Sequence, residues 1–253
     1  MKYKLMLLDV DGTLVPVGPH TTPTERVRQS IQQAKERIHI SIVSGRPIKW
    51  LTEIFESLDI ITPCIINGGS QIVDPKTKEI LWEQLLDKGD VEEILKMVRK
   101  DNLSFLVNDG GFEHKNPSHL VDLEKPLALQ LTYFDSKLQS DRYLEKLQSL
   151  PSITAHKFFS WGKDREYRME IYVTHKEASK YHAAEKLARI LNIETSEMIG
   201  VGDARNDVPL LNLCGLRIAM GNADDKLKTI AHYIAPDVDK DGIAHIVEKF
   251  ILS

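Results

Sequence analysis

Lys4-Leu5-Met6-Leu7-Leu8-Asp9-Val10-Asp11-Gly12-Thr13-Leu14 decides the reading of this 253-residue chain. Its first half is a short, almost continuous apolar run, the pattern of a strand buried on both faces of a parallel sheet. The run stops on Asp9 and Asp11, and Asp11-Gly12 is a turn pair. A buried strand that ends on carboxylates sets charge at a sheet edge. In open α/β sheets, ligands bind beyond the carboxyl ends of the strands.

The same rhythm continues on both sides of a different middle. Thr22-Pro23-Thr24-Glu25 predicts a helix start with Thr22 as N-cap, Pro23 at the first helical position and Glu25 closing a capping box. His39–Val43 reads as a β-branched strand, Pro47 as the opening of a helix to about Leu58, and Cys64–Ile66 as a strand stopped by Asn67-Gly68-Gly69. In the last third, Ala184, Leu187, Ala188 and Leu191 fall at helical spacing, which makes Lys180–Leu191 amphipathic. Strands at Met198–Val201, Leu216–Met220 and Tyr233–Ala235 alternate with helices at Asp207–Leu213 and near Asp224–Ile230, and a final helix runs from Ile243. Alternation of this kind implies right-handed βαβ units: an α/β class with an open, mostly parallel Rossmann-like sheet and helices on both faces.

From about Leu81 to His175 the strands are longer and more polar: Leu103–Asn108, Leu129–Phe134, Thr154–Phe159 and Arg168–Val173, with helices near Val91–Lys100 and Asp141–Gln148. This predicts an inserted α+β domain, residues 81–175, within a discontinuous α/β core made of residues 1–80 and 176–253. Val73–Lys78 and Thr174–Ser179 read as the linkers.

Composition narrows the function classes. Hydrophobic residues make up 42% and charged residues 28%, ordinary for a globular chain and unlike a disordered or fibrous one. The net charge of −4 is well mixed and offers no basic block to a nucleic-acid backbone. The apolar run at Leu5–Leu8 is too short for a signal sequence, and no stretch reaches the roughly 18 apolar residues of a membrane span. Cys64 and Cys214 stand far apart, which favours neither a disulfide framework nor a zinc site. The expectation is a cytoplasmic protein, monomer or homodimer, with no nucleic-acid or membrane partner.

Three strand ends carry polar clusters that converge in such a sheet: Asp9-Val10-Asp11-Gly12-Thr13, Ser44-Gly45-Arg46, and Gly202-Asp203-Ala204-Arg205-Asn206-Asp207. Singly, each reads equally well as a turn or a helix cap. Three at the ends of buried strands are harder to assign to chance. Four carboxylates at one edge repel one another unless a cation intervenes, and a donor set of oxygens without Cys or His points to Mg²⁺ rather than zinc.

These stretches resemble the motifs of the haloacid dehalogenase-like phosphohydrolases. Asp9-x-Asp11-Gly12-Thr13-Leu14 matches the first motif, Ser44 the second, and Gly202-Asp203-x-x-Asn206-Asp207 the fourth. Lys180, one helix, one turn and one strand before Asp203, fits the lysine of the third; Lys176, a turn upstream, is the alternative. Tyr181 follows Lys180 where relatives usually carry glycine. Asn67-Gly68-Gly69, Met220-Gly221-Asn222-Ala223 and Asp241-Gly242 resemble the Cof-like branch, which carries a type-two cap domain between the second and third motifs.

The resemblance implies roles. Asp9 is the nucleophile that forms an aspartyl-phosphate, and Asp11 the general acid and base. Mg²⁺ is held by Asp9, the Asp11 carbonyl, Asp203 and Asp207; Lys180 neutralises Asp9 and the phosphate. Ser44, Gly45, Arg46 and Asn206 become phosphate or substrate contacts, Arg46 reading equally as a salt-bridged residue and Asn206 as a loop anchor. Thr13 orients the loop or touches Asp11. The Trp161–Arg165 loop reads as a surface turn or as a segment over the site, and a cap shields the intermediate from water. The implied activity is a Mg²⁺-dependent phosphatase acting on a small phosphorylated metabolite, such as a sugar phosphate. A phosphotransferase or phosphomutase on sugar phosphates is the alternative, and a non-catalytic metabolite-binding regulator the third reading.

Overall fold

The structure is a computed structural model that describes residues 2–18, 22–109, 113–116, 125–161 and 167–253; for residues 113–114, 158–161 and 167–168 it describes the backbone alone. The chain divides into two compact units. One comprises Met1–Trp82 with Lys180–Ser253, and the other Glu83–Ser179.

The first unit is built on a five-stranded parallel sheet. Its strands are β1 (Leu5–Leu8), β2 (His39–Ile42), β11 (Met198–Gly202), β12 (Leu216–Ala219) and β13 (Tyr233–Ile234), in the order β13-β12-β11-β1-β2. All four residues of β1 are buried, which explains the continuous apolar run: a central strand covered on both faces has no polar side. Each such side chain contributes about 1.5–3 kcal/mol through burial. Helices α1 (Glu25–Lys35), α5 (Lys180–Leu191), α6 (Val208–Leu213), α7 (Asp225–Ile230) and α8 (Gly242–Val247) connect and cover the strands, with α1 packed on α8 and α5 on α6.

Register aligns the strand ends. Leu8 of β1 lies opposite Ile42 on one side and Val201 on the other. Consequently Asp9, the residues after Val43, and Asp203 all emerge at the same edge. β1 is also where the connections reverse direction, one leading outward to β2 and a later one arriving beside β1 as β11. That is the switch point at which α/β sheets open a crevice.

Helix α1 starts two residues later than the sequence pattern suggested. Thr24 is the N-cap, in extended conformation, and its side chain accepts from the Val27 N–H. Its hydroxyl also donates to Asp241 Oδ1, 2.6 Å away, a tertiary tie that selects Thr24 over Thr22. After Pro47 the chain makes a short 3₁₀ turn at Ile48–Trp50 before α2 (Thr52–Ser57), rather than one continuous helix. β3 (Cys64–Ile66) pairs antiparallel with β4 (Gln71–Val73), and β5 (Ile80–Glu83) completes a three-stranded sheet. The Val73–Lys78 stretch is therefore largely an ordered turn, in which Asp74 Oδ1 accepts from the Lys76 and Thr77 amides at 2.8 Å each. Cys64 and Cys214 are free and buried, and burial pushes both thiols up to about 12, so both are inert packing residues.

The second unit holds an antiparallel sheet of β6 (Ser104–Asn108), β7 (Glu113–Lys115), β8 (Ala128–Thr132), β9 (Ile153–Trp161) and β10 (Tyr167–His175), in the order β7-β6-β8-β10-β9. Alternation puts Phe105, Val107, Leu129, Leu131, Ile171 and Val173 on one face. That face packs against Val91, Ile94, Leu95 and Val98 of α3 (Lys88–Lys100) and Tyr143 and Leu147 of α4 (Lys137–Gln148). Among the described residues, no helix is long and apolar enough to cross a membrane.

Candidate active site

Asp9 follows β1, and its N–H donates to Val201 O across the strand pair at 3.1 Å. The chain then turns tightly: the Gly12 N–H donates to Val15 O at 2.7 Å and Leu14 N–H to Val10 O at 2.9 Å. Gly12 has φ +80°, and a Cβ there would overlap Asp203 Oδ2, so backbone conformation and space both demand glycine. Thr13 Oγ1 donates to Asp203 Oδ1 at 2.9 Å. The Thr13 hydroxyl thus joins the first loop to Asp203 and not to Asp11, because the turn at Gly12 brings it toward β11.

Lys180, the first residue of α5, reaches into the same edge. Its Nζ donates to Asp9 Oδ1 and to Asp207 Oδ1, both at 2.5 Å. The three groups are close to fully buried, with 7%, 5% and 0% exposure for Asp9, Lys180 and Asp207. Lys176 instead donates to Pro151 O within the second unit, so Lys180 is the lysine beside Asp9. The other oxygen of Asp207 accepts from the Asp203 and Ala204 amides at 3.1 and 3.0 Å, fixing the turn after β11. A Cβ at Gly202 would stand 2.6 Å from the Asp207 carboxyl, so that strand end also needs its glycine.

Carboxylate oxygens of Asp9, Asp203 and Asp207 lie within 4.8 Å of one another. Burial is the main reason that Asp9 is held well above the ordinary carboxylate range; Lys180 opposes it, and Asp207 and Asp203 add to it. Asp203 is pushed up to about 7, first by burial and then by Asp207. Burial works against the Lys180 ammonium, but Asp207 and Asp9 outweigh it and its pKa is raised. One lysine therefore does not balance three carboxylates. A hard divalent cation fits what is missing, because the donors are all oxygens and a 4.8 Å cluster is compatible with a shared ion at about 2.0–2.6 Å from each ligand.

The second loop stands beside Asp11. Ser44 is buried, and its Oγ accepts from the Arg46 N–H at 3.1 Å. Arg46 Nε donates to Asp11 Oδ2 at 2.9 Å, and Nη2 to Asp11 Oδ1 at 2.5 Å and Gly18 O at 3.1 Å. Gly45 is exposed, with no atom within 4 Å of where a Cβ would stand. Asn206 is exposed on the turn after β11. Asn67 is buried in the turn after β3 at φ +51°, where its Nδ2 donates to Gln71 Oε1 at 2.8 Å. Loop residues 162–165 lie outside the described residues.

Asn222 carries no role in the sequence reading. Its Nδ2 donates to Gly12 O at 2.7 Å while its Oδ1 accepts from the Val238 N–H at 2.9 Å, so a side chain after β12 braces the first loop. The Asp11–Arg46 fork is the salt-bridged reading of Arg46, with a partner the sequence does not name. Asn222 was visible in the Met220-Gly221-Asn222 stretch, but nothing in that stretch names its partner.

The carboxylates gathered around Lys180 stand at the switch point of the parallel sheet, where α/β folds bind their ligands. The model of the haloacid dehalogenase-like hydrolases matches residues 6–119 and 109–247, and the chain belongs to that family. It is, with that family, a phosphoric monoester hydrolase. Phosphatase YwpJ of Bacillus subtilis is 27% identical over 288 residues, covering 98% of this chain and 100% of that protein. Phosphoglycolate phosphatase 1 of Saccharolobus solfataricus is 28% identical over 255 residues, covering 98% and 96%. Among solved structures, a haloacid dehalogenase-like hydrolase from B. subtilis superposes with a TM-score of 0.82 at 22% identity, covering 98% of this chain and 99% of that one.

Proposed function

We propose that this protein is a Mg²⁺-dependent phosphatase of small phosphomonoesters, sugar phosphates among them, and that Asp9 is its nucleophile. The observation that supports the reading is the buried Asp9–Lys180–Asp207 array beside Asp203. A carboxylate attacks a phosphate dianion only where negative charge is offset. Asp9, the Asp11 carbonyl and Asp203 would hold the metal, with Asp207 behind them, and the bound ion would supply charge neutralisation for the attacking carboxylate and the phosphate.

In this account Lys180 keeps one Asp9 oxygen paired, and the other oxygen forms the bond to phosphorus as the ester P–O bond breaks. The leaving oxygen takes the electron pair and a proton from Asp11. Water then attacks the aspartyl-phosphate, gives its proton to Asp11, and restores the Asp9 carboxylate. Ser44, Gly45 and Asn206, on the loops after β2 and β11, are the proposed contacts to the phosphate oxygens. The similarity to a phosphoglycolate phosphatase favours a small acidic or hydroxylated monoester as substrate.

The test is product analysis with purified protein and MgCl₂ over a panel of phosphorylated metabolites. Release of inorganic phosphate is expected. Isomerisation of a hexose phosphate without release would replace the hydrolase reading by the phosphomutase one.

A further inference from the structure

The two aspartates of the first loop have different cationic partners: Lys180 for Asp9 and Arg46 for Asp11. Arg46 grips Asp11 with two N–H groups, one on each carboxylate oxygen. Its side chain is only 13% exposed, against 39% for Asp11, so the buried member of the pair is the arginine. The guanidinium is also tied to Gly18 O, and its backbone is fixed at both ends. Arg46 N–H donates to Ser44 Oγ, Arg46 O accepts from the Asn67 N–H at 3.1 Å, and the Gly68 N–H donates to Ser44 O at 3.0 Å. The turn that supplies those amides holds Asn67, Gly68 and Gly69 at φ +51°, +70° and +104°. A non-glycine residue held in that region is strain retained by its surroundings.

We infer that Arg46 is the positioning residue of the acid–base carboxyl: it fixes the plane of Asp11, and the Asn67–Gly69 turn fixes Arg46. This rests on the phosphatase reading above, and assigns Arg46 to Asp11 rather than to the phosphate. The chemistry stays balanced. A carboxyl group has about four lone-pair positions, and the fork takes one on each oxygen. The remaining ones can carry the proton that passes to the leaving oxygen and accept the proton that water later returns. A fork that prevents rotation of the carboxyl keeps that proton in line with the leaving oxygen. Misplacement by about 1 Å costs on the order of 10²-fold in rate.

Leaving-group dependence tests the assignment. A p-nitrophenolate departs without a proton, whereas the alkoxide of glycerol 2-phosphate needs one, and kcat/KM reports the bond-breaking step in both. Arg46→Ala is expected to lower kcat/KM for glycerol 2-phosphate roughly ten- to a hundredfold more than for p-nitrophenyl phosphate. The same substitution placed on Asp11→Asn should add no further imbalance. Arg46→Lys, which keeps the charge and loses the fork, should show the same imbalance as alanine, and it carries the test if the alanine variant does not fold. Equal losses on the two substrates, full recovery with lysine, or an imbalance that persists on Asp11→Asn would each overturn the inference and make Arg46 a phosphate contact. If the wild-type protein turns over neither substrate, the phosphatase reading itself fails, a distinct result.

Discussion

Replacing Lys180 by methionine removes an ammonium that faces both Asp9 and Asp207, at 2.5 Å from each. Methionine fills much of the same volume, so the change is mainly one of charge. Deleting one partner of a buried ion pair costs about 3–5 kcal/mol, since the remaining charge is left without compensation. Here two carboxylates lose their partner and a third, Asp203, stands within 4.8 Å. The variant can lower that cost by taking up protons, because burial already raises Asp9 and Asp203 above the ordinary value of 3.8. The loss should therefore be largest at pH 8 without metal and shrink toward pH 5. Urea unfolding followed by the fluorescence of Trp50 and Trp82, in a Trp161→Phe background, reads the first unit. MgCl₂ should recover part of the loss at pH 8. A variant as stable as the parent at pH 8 in chelator would mean that Lys180 neutralises nothing that matters to the fold.

Three other outcomes follow from the same geometry. Carboxyls whose folded pKa is raised bind protons more tightly in the folded state, so the stability that Asp203 contributes without metal is lost as pH rises from about 3.8 toward about 7; the shift of the urea midpoint by MgCl₂ should accordingly be larger at pH 8 than at pH 5, and equal shifts would remove Asp203 from the metal site. Asp11→Asn should lower turnover of an alkyl phosphate by roughly 10²–10⁴-fold, and wild-type rates would exclude Asp11 from the chemistry. Gly12→Ala forces a Cβ at φ +80° against Asp203 and should cost about 1–3 kcal/mol, read by thermal unfolding, together with weaker metal binding in a calorimetric titration.

Where burial decides, the sequence is legible. Leu5–Leu8 reads as a central strand because both of its faces are covered, and the parallel register of β1 with β11 then brings Asp9 and Asp203 to neighbouring ends. The helical spacing of Ala184, Leu187 and Ala188 is likewise a direct record of the buried face of α5. What local pattern could not supply is choice among chemically equal neighbours. Thr22 and Thr24 are both good caps, and the hydrogen bond from Thr24 to Asp241, far along the chain, settles the start of α1. By sequence Thr13 orients the loop or touches Asp11; its hydroxyl bonds Asp203, which no local pattern names. Arg46 was equally a phosphate contact or an ion-pair residue by sequence; its grip on Asp11 depends on how the turn at Asn67–Gly69 holds the preceding loop. The β4–β5 pairing was hidden because Asp74–Lys78 is polar and reads as a linker, although its amides are satisfied by Asp74 itself.

The claim on which the account stands is that Asp9 receives the phosphoryl group. Rapid mixing with a turned-over phosphomonoester, acid quench and mass spectrometry of the digested protein measures this directly. One phosphoryl group is expected on the peptide containing Asp9, absent in Asp9→Asn, formed and lost within the turnover time. Steady release of phosphate with the label on another residue, or with Asp9→Asn still active, would contradict it.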